Sequence, residues 1–260
     1  MLVAAAVCPC PPLLVPEVAA GAAPELDAAR AACTDALGVL AAARPDRLIV
    51  VGPTRQGETD SYPQGTPGSF RGFGVDVGVR LGREKAGDVP GAAEVTEAAV
   101  AADTSDASDA AVRPALPPSL AVAAWLLERT GWSDAPIEGF AVGEPLAPER
   151  CIEIGRDIAA RAERVALLVM GDASACRTLK APGYLDERAE PFDAAVGRAL
   201  GSADLAALEA LDLELARQLM VSGRAPWQVL AGAAAGAGLG AELLYEDAPY
   251  GVGYVVASWS

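Results

Sequence analysis

Short, wholly apolar runs alternate along this chain with longer segments of helical periodicity, and that alternation constrains the fold more than any other feature. Leu2–Val7, Arg47–Val51 (RLIVV) and Val165–Met170 end at Pro or Gly punctuation and are too short for helices, so they read as buried strands. Pro24–Ala43 carries Leu26, Ala29, Cys33, Ala36, Leu37 and Leu40 at helical spacing. Ser119–Arg129, Pro148–Arg161, Glu187–Leu200, Asp204–Val221 and Pro226–Ala235 read as further helices, and Ile137–Val142, Glu242–Tyr245 and Val252–Ala257 as further strands. Strands apolar on both sides belong to sheets covered on both sides. The expected fold class is therefore α/β: a single domain over residues 1–260, with a mainly parallel central sheet covered by helices on both faces. In such sheets ligands bind beyond the carboxyl ends of the strands, which gathers Cys8–Pro12, Gly52–Gly57 and Gly171–Lys180 around one cleft.

Two stretches break the pattern. Thr54–Ser69 is rich in Gly, Pro and Thr and is expected as a long polar loop, followed by an alternating strand at Val75, Val77, Val79 and Leu81. Gly82–Arg113 scatters aspartates among Ala, Ser and Thr, with little branched or aromatic content to bury. It is expected to be a flexible excursion with weak helix around Ala92–Ala102.

The charge balance narrows the partners. Twenty basic residues against 35 acidic ones leave a net charge of −15, which repels phosphate backbones and argues against nucleic acid. No apolar run is long enough to span a bilayer. The apolar start lacks a basic n-region and is broken at Cys8-Pro-Cys10, so it reads as a strand and not as a signal peptide. Five cysteines at irregular spacing fit reduced thiols in a cytoplasmic protein. Histidine is absent, which excludes Ser-His-Asp and Cys-His catalysis, zincin motifs and two-His-one-carboxylate iron sites.

Several residues on the expected cleft could carry chemistry. Cys8 and Cys10 could be small buried hydrophobes, or a soft-metal or redox pair, although their spacing is poor for structural zinc. Asp172 and Ser174 could cap a helix or reach into the crevice. Arg55, Arg177 and Lys180 could converge on a small anionic ligand, aided by backbone N–H groups if a helix begins at Gly171–Ser174. The Gly72-Phe-Gly74 and Gly232–Gly240 stretches lack the Lys-Ser/Thr of a phosphate loop and read as tight packing and turns.

Four segments together resemble the B-type subunits of the class III extradiol ring-cleavage dioxygenases and their Memo-like relatives. Ala5–Glu17 (AAVCPCPPLLVPE) is similar to a first strand ending Pro-His-Pro-Pro, and Leu48–Arg55 (LIVVGPTR) to a second strand ending Ser-Pro-His. Met170–Leu179 (MGDASACRTL) resembles Gly-Asp-x-Ser-His-Arg-Leu, and Tyr245–Ala257 (YEDAPYGVGYVVA) a closing Tyr-Glu-x-x-Phe-Gly-Val-Gly-Tyr strand pair. The resemblance places the family's two iron-ligand histidines on Cys10 and Thr54, its acid-base histidine on Ala175, and its third ligand region on Val221-Ser222 before Gly223. It implies the scaffold without the iron chemistry: a pseudoenzyme or small-molecule binding protein with no metal or cofactor and no ring cleavage. The alternatives are thiol or soft-metal chemistry at Cys10 near Asp172 and Cys176, or a non-catalytic scaffold in a homo-oligomer or beside a catalytic partner. The candidate crevice collects Cys8, Cys10, Thr54, Arg55, Asp172, Ser174, Cys176, Arg177, Lys180, Ser222 and Glu246, with no catalytic residue assigned.

Overall fold

The computed structural model describes residues 1–55, 59–83 and 115–260. Its strands are β1 (Leu2–Cys8), β2 (Arg47–Thr54), β3 (Asp60–Pro63), β4 (Pro67–Ser69), β5 (Gly78–Arg80), β6 (Ile137–Gly143), β7 (Val165–Met170), β8 (Ala241–Asp247) and β9 (Tyr254–Trp259). Its helices are α1 (Pro16–Ala19), α2 (Asp27–Ala42), α3 (Pro118–Arg129), α4 (Pro148–Ala159), α5 (Ala189–Ser202), α6 (Leu205–Glu209), α7 (Leu213–Gln218) and α8 (Arg224–Ala234). Seven strands form one sheet in the order β3-β6-β2-β7-β1-β9-β8, and β4 and β5 form a separate ribbon. The central strands β6, β2, β7 and β1 run parallel, while β3 at one edge and β9 and β8 at the other add antiparallel pairs.

The unbroken apolar character of β1 follows from its position. Ala4, Ala6 and Cys8 enter a core shared with Leu37 and Leu40 of α2 and Leu120 of α3. Leu2, Ala5 and Val7 enter a second core with Ile154 of α4, Val196 of α5 and Leu230 of α8. A register irregularity between Leu2 and Ala4 lets Leu2 share a core with Ala5. Helices α4 and α8 cross so closely that a Cβ at Gly155 would strike the Val229 carbonyl, and one at Gly232 the Ile152 carbonyl. Close packing is therefore the role of Gly232.

Several expected boundaries are corrected. Thr54–Ser69 contains β3 and β4: β3 pairs antiparallel with β6 at the sheet edge, where Pro63 ends the strand. The alternating segment after Val75 is shorter than expected, with only Gly78–Arg80 pairing, against β4. Asp204–Val221 is two helices and not one, because Asp204 and Asp212 each cap a helix start, accepting from Ala207 N at 3.1 Å and Leu215 N at 2.6 Å. Helix α2 begins at Asp27, after a 3-10 segment over Ala20–Leu26. The expected excursion at Gly82–Arg113 lies, from residue 84 onward, outside the described residues. No described helix is long and apolar enough to cross a membrane.

Candidate functional site

Parallel register decides which chain ends share the carboxyl edge of the sheet. Cys8 lies opposite Met170, Val51 opposite Val169, and Thr54 opposite Gly143. The residues that follow these strands (Cys10, Arg55, Glu144 and Asp172) therefore emerge along one edge. Ser222 joins them just before α8. The backbone N–H groups of Ser222 and Gly223 donate to the Asp172 carbonyl at 3.1 and 2.9 Å, and Asp172 N donates to Ser222 Oγ at 3.3 Å. This approach needs two glycines, since a Cβ on Gly171 would sit 2.5 Å from Gly223 Cα.

At the centre, Cys10 N donates to Asp172 Oδ1 at 2.8 Å and Cys10 Sγ reaches Asp172 Oδ2 at 3.9 Å. The Ser222 hydroxyl stands beside the Cys10 sulfur. Burial pushes the Asp172 carboxyl up to about 7, against the lowering effect of its bonds from Cys10. Burial likewise pushes the Cys10 thiol well up, and the negative charges of Asp172 and Glu144 push it further. Burial raises Glu144 too, with Arg55 and Arg224 pulling it back. Tyr254 is raised by burial and then by Asp172. Arg224 is wholly buried, donating to Gln228 Oε1 at 2.7 Å and to the Glu144 carbonyl. The backbone N–H of Glu144 donates to the Thr54 carbonyl at 3.0 Å.

These states set the available chemistry. A thiol held protonated by burial and by neighbouring negative charge is a poor nucleophile and a poor metal ligand at neutral pH. A carboxyl titrating near 7 can exchange a proton with a bound molecule in the neutral range. The ferrous ion of the resembled family does not fit this donor set. The positions offer a protonated thiol at Cys10, hydroxyls at Thr54 and Ser222, and a methyl group at Ala175, where iron takes imidazole and carboxylate. Among the described residues no group of three or more Cys, Asp or Glu side chains is arranged to hold a metal ion.

The remaining candidates lie elsewhere. Ser174, Arg177 and Glu246 belong to a second constellation, organised by Asp193 of α5. Asp193 accepts from Ser174 N and Ser174 Oγ, both at 2.8 Å, and from Arg177 at 3.2 Å. The segment around Ser174 is laced to the closing Gly251-Val-Gly253: Ala173 N donates to Gly253 O at 2.8 Å, Gly253 N to Ser174 O at 2.8 Å, and Arg177 N to Gly251 O at 3.0 Å. Cys176 is buried in the second core with its sulfur 3.4 Å from the Leu219 carbonyl, and Ala175 is buried with its N–H on the same carbonyl. Cys8 points into the first core beside Cys33. Lys180 is exposed. No contact joins Arg55, Arg177 and Lys180 among the described residues: Arg55 faces Glu144 and Arg177 faces Asp193. No helix begins at Gly171–Ser174, so the helix donors considered for an anion are not there.

Glu144 and Asp193 escaped the reading of the sequence, though each carries a signal. Glu144 directly follows a strand of the parallel set, the same placement that singled out Asp172. Asp193 falls on the stripe of Ala189, Val196 and Leu200, where a buried acid needs a partner.

No family model matches the chain, and no curated protein matches it. Among solved structures it is similar to the uncharacterized protein JW3007 from Escherichia coli K12, at 15% identity over 99% of each chain with a TM-score of 0.48.

Proposed function

We propose that this chain is a non-oxygenase relative of the class III extradiol dioxygenases that binds a small molecule at the carboxyl edge of its sheet. On this reading the two cores are helical layers on opposite faces of the sheet. The observation that carries the proposal is the convergence of Cys10, Asp172 and Ser222. Cys10 and Ser222 stand where the resemblance puts iron ligands, and both lie against the carboxyl-bearing residue Asp172. Cys10, Ser222 and Tyr254 supply hydrogen-bond donors, while Asp172 and Glu144 supply acceptors with raised proton affinity. Such a lining suits a polar, proton-exchanging ligand. Thiol chemistry at Cys10 is the weaker reading, because its surroundings hold the proton on sulfur.

The test is anaerobic reconstitution with ferrous ion followed by oxygen uptake with protocatechuate as substrate. No uptake above the buffer rate is expected, and iron should leave on desalting. Saturable ring opening with retained stoichiometric iron overturns the proposal.

A further inference from the structure

The closing Tyr245–Ala257 segment builds a second cavity that the crevice reading leaves unused. It encloses about 370 Å³ and is lined by Arg177, Asp193, Glu246, Asp247 and Tyr254 among others. That volume lies in the range of small-molecule sites. Its walls differ in charge. On one side the Arg177 guanidinium, about a quarter exposed, donates through NH1 to the buried Asp193, while NH2 lies 3.9 Å from Glu190, beyond hydrogen-bond reach. Part of its planar donor fork is therefore open to the cavity. On the other side stands Glu246, which forms no ion pair among the described residues; Asp247, the next residue of the strand, turns to the opposite face toward Tyr245, and its carboxylate accepts from Ala248 N at 2.7 Å. The Glu246 carboxylate lies flat against Gly197 in the middle of α5, where a Cβ would come within 2.9 Å of its Cδ and of both its oxygens. Glycine in a helix interior is less stable than alanine, so this position trades helix stability for room beneath a carboxylate.

We infer that this cavity binds a small zwitterion, with its carboxylate on Arg177 and its ammonium on Glu246. A plain carboxylate would reach Arg177 and be repelled by Glu246, and a plain amine would meet Arg177 instead. A molecule carrying both groups satisfies both walls. The inference does not depend on the crevice proposal: Tyr254 borders both sites, but neither Arg177 nor Glu246, which carry this inference, belongs to the Cys10, Asp172 and Ser222 cluster.

Calorimetric titration of the full chain with glycine, β-alanine and γ-aminobutyrate, against butylamine and butyrate as single-charge controls, tests it. At least one zwitterion should bind saturably, about tenfold or more tighter than either control. Glu246→Gln, at an exposed position, should weaken that binding about tenfold while leaving the far-ultraviolet circular dichroism unchanged. Absence of saturable binding to all three zwitterions overturns the inference. So does equal or tighter binding of butylamine or butyrate, or zwitterion binding that Glu246→Gln leaves intact.

Discussion

Asp172 and Asp193 stand on either side of the Ser174 segment, and their carboxyls are treated in opposite ways. Asp193 receives a backbone N–H, a hydroxyl and a guanidinium, and it ties the Ser174 segment, α5 and the closing strand into one unit. Asp172 receives a backbone N–H and a thiol, and no cation pairs with it among the described residues. Burial raises both, and at Asp172 it carries the carboxyl up to about 7. A buried acid with a full set of donors and a countercharge holds structure together. One left without a countercharge is poised to change protonation where a ligand can sense it.

Removing each carboxyl should therefore have effects of opposite sign. Asp193→Ala strands Arg177 and the Ser174 hydroxyl, and should destabilise the protein by about 3 kcal/mol in urea denaturation. That figure is the low end for a buried pair, because Arg177 retains some access to water. Asp172→Asn should stabilise it at pH 8, by about 2–4 kcal/mol. The sign follows from a folded pKa near 7, above an unfolded value of about 3.9. The protonated parent carries no penalty below about pH 4, loses stability as pH rises toward 7, and is level above that. The advantage of the variant should vanish near pH 4, and a constant advantage across pH would show that Asp172 is not the titrating group.

The hydroxyls sharpen the same contrast at smaller scale. Ser174→Ala removes a 2.8 Å bond to a buried carboxylate and should cost about 2 kcal/mol, whereas Ser222→Ala removes only a 3.3 Å bond and should cost under about 1 kcal/mol. Equal losses would mean that the two carboxyls are held alike. The smallest effect is expected at the thiols. All five cysteines are buried and free, so an alkylating reagent at pH 7.5 should label none of them in the folded protein and all of them in denaturant. Rapid native labelling of Cys10 alone would restore the thiol reading.

The parallel centre was legible because Leu2–Val7, Arg47–Val51 and Val165–Met170 are apolar without alternation, and the rule that ligands gather at the strands' carboxyl ends then located Cys10, Thr54 and Asp172. The same rule could not divide the edge. Asp172 and Ser174 are two residues apart, yet one turns toward Cys10 and the other toward Asp193, a choice made by backbone bonds to Gly253 and Leu219 that leave no periodic trace in the sequence. Short edge strands such as β3 were hidden by their Asp, Ser and Pro content, because pairing at an edge asks little of propensity. Asp212 lies inside Asp204–Val221, which reads as one helix, and only its 2.6 Å bond to Leu215 N reveals a helix start.

The claim that Asp172 is the poised group of the crevice is tested most directly by titrating its carboxyl itself. Infrared difference spectra between the parent and Asp172→Asn, recorded from pH 4 to 9, isolate the band of this side chain. The account predicts a protonated carboxyl at pH 5 that converts to carboxylate with a midpoint near 7. A midpoint near 4, where an ordinary aspartate titrates, would contradict it.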